Sequence, residues 1–140
     1  MKRILVFLTI CFFARMPSKG QSGDCVKSLT GKMSFTPGIS KLSSDALSTL
    51  NNLAKGMRAN PNCKVVVMGN GNGNKVEQQR SWDRVNTVIN FMVDKQKIDR
   101  DRFIFLYGLN GKVNSVDYRG AEENEEGPSR QAPPFPNSRK

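Results

Sequence analysis

"VVVMGNGNGNKVEQQRSWDRVNTVINF" (residues 65–91) decides the fold of this chain. The apolar run "CKVVVMG" (63–69) is too short and too rich in β-branched residues for a helix, so it reads as a buried strand. After it, Trp82, Val85, Val88, Ile89 and Met92 recur at helical spacing, which predicts a helix over about residues 79–95 with those side chains on its core face. Between the two, residues 69–73 alternate Gly and Asn. Both tolerate left-handed backbone, so the spacing reads as a loop between two well-defined elements.

Outward from this unit the pattern repeats. Upstream, "KMSFTPG" (32–38) predicts a short strand with Met33 and Phe35 on one face, ended by Pro37-Gly38. "SSDALSTLNNLAKGMRANPNC" (43–63) then predicts a helix with Ser43 or Ser44 as its N-cap and Asp45 near its positive end. Leu47, Leu50, Leu53, Ala54 and Met57 make its core-facing stripe, and Pro61 stops it. Downstream, "DRFIFLYG" (101–108) predicts a further strand. The order β-α-β-α-β makes a two-layer α/β sandwich the economical architecture, because each helix stripe needs a sheet face to cover it. Beyond that strand the periodicity fades. Residues 120–140 carry an acidic run and four prolines, which predicts an extended or mobile tail after a domain spanning 21–119.

The first twenty residues stand apart. "MKR" followed by "ILVFLTICFFA" has the charged front and apolar centre of a secretory signal, with cleavage expected after Gly20. The apolar centre is too short to span a bilayer, so the mature chain is expected to have no transmembrane segment. Removing residues 1–20 takes away Lys2, Arg3, Arg15 and Lys19 and no acid, and the net charge of +10 falls to +6. Without a Lys/Arg cluster or interleaved aromatics, that balance reads as a mildly basic surface and not as a nucleic-acid platform. Of three cysteines, Cys25 and Cys63 remain in the exported chain, and an even pair in an oxidising compartment is expected to be a disulfide.

Catalytic chemistry finds little to work with. The sequence has no His, which excludes Ser-His and Cys-His pairs, and two thiols alone do not make a zinc site. A dinucleotide-binding reading of the Gly-rich loop fails because Asn74 stands where the third glycine is wanted. No metal, no cofactor and no enzymatic activity are expected.

The order of these elements resembles the OmpA-like domain found at the C-terminus of OmpA, in MotB and in peptidoglycan-associated lipoproteins. The likeness is carried by "FTPGISKLSSDALSTLNNLAKGMRANPNCKVVVMG" (35–69) and "SWDRVNTVINFMVDKQKIDRDRFIFLYG" (81–108). The resemblance implies a noncovalent peptidoglycan-binding module of the periplasm or outer membrane, with other envelope proteins as further partners. In that family an Asp in the loop after the second strand and an Arg on the following helix hold the zwitterionic end of diaminopimelate. Here Arg84 matches the Arg, whereas the Asp position falls on Asn72, in a loop about three residues shorter. Asn72 offers no charge, and a charge-assisted hydrogen bond is roughly twice as strong as a neutral one. Asn70, Gly71 and Gly73 complete the expected ligand-binding set, the glycines letting backbone amides approach a carboxylate. At the helical period Arg84 lies on the flank of its helix, about 110° from the centre of the apolar stripe, from where it can lean over the loop. The alternative is a structural or protein-interaction domain of the envelope that has lost the ligand.

Overall fold

Residues 22–135 are described by the computed structural model, and the expected export signal at 1–20 lies outside them. In chain order they form α1 (Ser22–Ser28), β1 (Gly31–Ser34), α2 (Ser44–Ala59), β2 (Val65–Asn70), α3 (Lys75–Asp94), a 3-10 turn (Arg100–Arg102), β3 (Phe103–Leu109) and β4 (Ser115–Gly120). The four strands make one sheet in the order β1-β4-β2-β3. β2 and β3 run parallel with Val66 opposite Ile104, and β4 is antiparallel to both of its neighbours. The expected two-layer α/β sandwich is present, enlarged by α1 at the front and by β4, which takes a central place in the sheet.

Local signals account for most element boundaries. Ser43 caps α2, its hydroxyl accepting the Ala46 amide at 3.1 Å, and Pro61 follows the C-cap Asn60. Leu50, Leu53, Ala54 and Met57 of α2 are buried as their spacing predicts, while Leu47 at the helix edge is only partly covered. They meet Val85, Val88, Ile89 and Met92 of α3 over Val65, Val67, Phe103, Phe105 and Val116 of the sheet. Each such side chain, once fully buried, contributes roughly 1.5 to 3 kcal/mol, so this helix-facing layer is the main store of stability. The other sheet face carries a smaller cluster of Val66, Ile104 and Ala121, with Met68 and Leu106 against it.

Gly69 sets how closely α3 lies on β2, because a Cβ there would come within 2.6 Å of the Ser81 carbonyl oxygen. At its N-terminus α3 begins at Lys75, four residues before the expected start, because Asn74 caps it. The Asn74 side chain accepts the Glu77 amide at 3.0 Å, and the Glu77 carboxylate reaches back to the Gly73 amide at 2.9 Å. The first bond is an N-cap and the second ties the residue before the cap to the first turn of α3, and together they use up much of what the sequence suggested was a loose loop.

The C-terminal segment corrects an expectation. Through Phe135 it is extended, as its prolines require, but it is fastened to the domain and does not hang free. Arg119 and Glu125 make a bidentate ion pair at 2.7 and 2.8 Å, and Gly127 packs over Ile104. The Pro128 carbonyl accepts the Phe105 amide at 2.8 Å, and Gln131 Nε2 donates to the Phe105 carbonyl at 2.6 Å. Trp82 Nε1 donates to the Gln131 carbonyl at 3.0 Å, and the Phe135 amide donates to Gln79. The segment therefore passes from the back face of the sheet, round the outer edge of β3, to α3.

Cys25 and Cys63 form the expected disulfide, tying α1 to the start of β2 across 38 residues. Opening it by Cys25→Ser with Cys63→Ser is expected to lower unfolding free energy by roughly 3 to 4 kcal/mol in urea titrations. Arg119, and then the Glu122 amide, hold the Glu125 carboxyl down at about 2, from an ordinary value of 4.5. A carboxylate depressed in the folded state stabilises fully above its unfolded value. The attachment contributed by Glu125 is therefore expected to persist above pH 4.5 and to fade as pH falls through about 2. Carbon-13 titration of Glu125 checks this, and Arg119→Ala should move its midpoint back up.

Candidate functional site

The β2–α3 loop spans residues 71–74, and although residues 72–74 are exposed, much of its hydrogen-bonding capacity is spent within the protein. Gly71, at φ 127°, takes a backbone conformation that side chains rarely adopt, and its amide donates to the Leu109 carbonyl at 3.0 Å. The Asn72 side chain is exposed and bonds to Asn110 Oδ1. Gly73 donates to Glu77. Of the loop amides expected to meet a carboxylate, those of Gly71 and Gly73 are therefore already paired within the protein. Glu77, Leu109 and Asn110 are the partners that sequence reasoning did not single out.

Asn70 has a different place from the one the sequence suggested. It ends β2 and is 4 % exposed, with Nδ2 donating to Ser115 Oγ at 2.9 Å and to Asp117 Oδ2 at 3.0 Å. Its amide pins β2 to β4 beneath the loop at Gly111, where a Cβ would strike the Asn70 side chain at 2.2 Å.

Arg84 also departs from the expected geometry. Instead of leaning outward from a helix flank it is 1 % exposed. The β1–α2 connection, unseen by a helical-wheel argument on α3 alone, folds over that flank and covers it. Its residues 36–39 form a turn with Pro37 second and Gly38 third, Gly38 at φ 78° and the Ile39 amide donating to the Thr36 carbonyl at 3.0 Å. That is the residue pattern of a type II turn. Arg84 clips both ends of it: Nε and Nη2 donate to the Ile39 carbonyl at 3.1 Å each, and Nη2 to the Thr36 carbonyl at 3.3 Å. Its guanidinium also lies over the Phe35 ring, 5.2 Å from the centroid, a cation–π contact.

The electrostatics of this position are unusual. Among the described residues Arg84 has no carboxylate within salt-bridge distance, the ion pair there being Arg119 with Glu125. Burial, and then the nearby Arg80, push its pKa down, and Asp83 offsets part of this. Guanidinium stays protonated in proteins, so the result is a buried cation held by carbonyl oxygens and an aromatic face. Neutralising such a charge calls for an anion. Among the described residues no group of three or more His, Cys, Asp or Glu could hold a metal ion, and no helix is long and apolar enough to cross a membrane.

Comparisons with known proteins fit this architecture. No protein-family profile matches the chain, and no curated protein does. Among solved structures it is similar to the OmpA-like domain of FopA1 from Francisella tularensis subsp. tularensis SCHU S4, with a TM-score of 0.54 and 14 % sequence identity, over 65 % of this chain and 71 % of that one. At this identity the likeness is one of fold. The order of elements, the mixed four-stranded sheet with its helices, and the structural match together establish that this chain has the OmpA-like fold.

Proposed function

We propose that this protein is an exported, non-catalytic cell-envelope module that binds the diaminopimelate-type stem peptide of peptidoglycan noncovalently. The observation that carries the reading is Arg84. A guanidinium 1 % exposed and, among the described residues, without a carboxylate partner is costly to keep, and a ligand carboxylate admitted by displacement of the 36–39 turn would compensate it. Its position at the junction of the β1–α2 turn and α3 lies on a fold whose members the sequence resemblance associates with that ligand. Exposed Asn72 stands by as a neutral hydrogen-bonding partner, while the Gly71 and Gly73 amides are already taken by Leu109 and Glu77. The disulfide supports an oxidising compartment and hence a periplasmic or outer-membrane-associated location.

A second reading, a structural or protein-interaction domain without the ligand, is favoured by Arg102. It makes the same kind of clip, donating to the Met57, Asn60 and Cys63 carbonyls at the end of α2, at a place with no binding role assigned. Two outcomes separate the readings. When purified protein is sedimented with diaminopimelate-containing peptidoglycan, wild type is expected in the pellet. Asn72→Asp, which restores a charge at an exposed position, should tighten binding roughly tenfold. If both stay in the supernatant, the second reading holds. Arg84→Ala should abolish pelleting, and because it removes the donor to the Ile39 carbonyl and the contact with the Phe35 ring it should also cost about 1 to 3 kcal/mol in thermal or urea unfolding. Loss of stability with unchanged pelleting would make Arg84 a purely structural clip.

A further inference from the structure

Away from Arg84, the C-terminal segment that fastens to β3 and α3 (the strap), the β2–α3 loop and the edge of β3 border an open cleft of about 470 Å³ lined by Asn72, Gln78, Leu106, Tyr107, Gly108 and Gln131. That volume falls within the range of about 300 to 1,000 Å³ usual for small-molecule sites. None of the six residues is charged. Three are carboxamides brought from three separate parts of the chain: Asn72 from the β2–α3 loop, Gln78 from the first turns of α3, and Gln131 from the C-terminal strap. Each carboxamide offers a donor and an acceptor, the pairing that hydroxyl and acetamido groups present in return. Gln131 is held in place by Nε2 on the Phe105 carbonyl and by Trp82 on its own carbonyl, and among the described residues nothing donates to its Oε1 or to that of Gln78.

The sheet edge narrows the choice of ligand. Phe105 presents its amide and carbonyl to the strap, and Tyr107, two residues on, carries its backbone groups on the same outer side. A docking strand would need several consecutive open positions there, and the strap already occupies the neighbouring one. A compact ligand needs only the one. With no charge lining the cleft, an ionic ligand would lose its hydration without recompense, whereas an uncharged one would not.

We propose that this cleft is a subsite for an uncharged N-acetylated sugar, resting on the cell-wall reading only for the choice of sugar. The site is completed by the strap and is separate from the Arg84 position.

The test is an NMR titration of the nitrogen-15-labelled protein with N,N′-diacetylchitobiose in one arm and a diaminopimelate-containing tripeptide in the other. The sugar should produce saturable shifts at the Tyr107 amide and at the side-chain amides of Asn72, Gln78 and Gln131, with a dissociation constant on the order of 1 mM. Gln78→Ala, at a helix position that accepts alanine, should weaken this about fivefold or more, and Gln131→Ala should do the same. Absence of saturable shifts with the sugar, shifts confined to other parts of the molecule, or unchanged affinity in both folded variants would each overturn the subsite. The tripeptide arm reads the stem-peptide proposal separately: shifts around Arg84 with a silent sugar arm would sink the sugar cleft alone.

Discussion

The pairing of β4 between β1 and β2 is the constraint on which the rest of the molecule depends. On one side it registers Met33 opposite Val116, and on the other it sets Val67 opposite Tyr118. Without it β1 would have no neighbour in the sheet, since β1 touches no other strand. α1 would lose its seat as well, because Gly120 at the end of β4 lets the Cys25 backbone come so close that a Cβ would sit 2.1 Å from the Cys25 carbonyl oxygen. The Asn70 clamp onto Ser115 and Asp117 belongs to the same seam. It ties the start of the Gly-Asn loop to the sheet centre.

From that seam the geometry around Arg84 follows by connection. β1 delivers Phe35 and the Pro37-Gly38 turn to one side of α3, where Arg84 holds the turn by its carbonyls. β2 delivers the shortened loop, whose spare groups are consumed by the α3 cap and by Leu109 and Asn110. What this place lacks among the described residues is a counter-charge to Arg84. Carbonyl dipoles and an aromatic ring hold the cation in position, but they carry no net charge.

The strap addresses a separate physical problem. β3 is an edge strand, and an unpaired edge is a template for association with other chains. Pro128 supplies an acceptor to that edge while lacking a donor of its own, and Gln131 completes the pairing through a side chain. Proline-rich composition and edge protection are thus the same feature seen at two levels. Composition alone says that the segment builds no core, and it is silent on where an extended chain comes to rest.

What the sequence by itself determined was everything written in local periodicity and local caps: α2 and its stripe, the buried β2, the core face of α3, β3, and, from cysteine usage, the pairing of Cys25 with Cys63. Those signals are local because helix and strand periods, N-caps and proline stops act within a few residues. Tertiary structure alone decided the central place of β4, whose short alternation of Val116 and Tyr118 among Asp117 and Arg119 gains meaning only between two partner strands. It also decided that Arg84 would be buried, because the turn that covers it comes from 45 residues earlier in the chain. Spacing along a helix fixes which face a side chain leaves from. What lies over that face depends on which distant segment the sheet brings back to it.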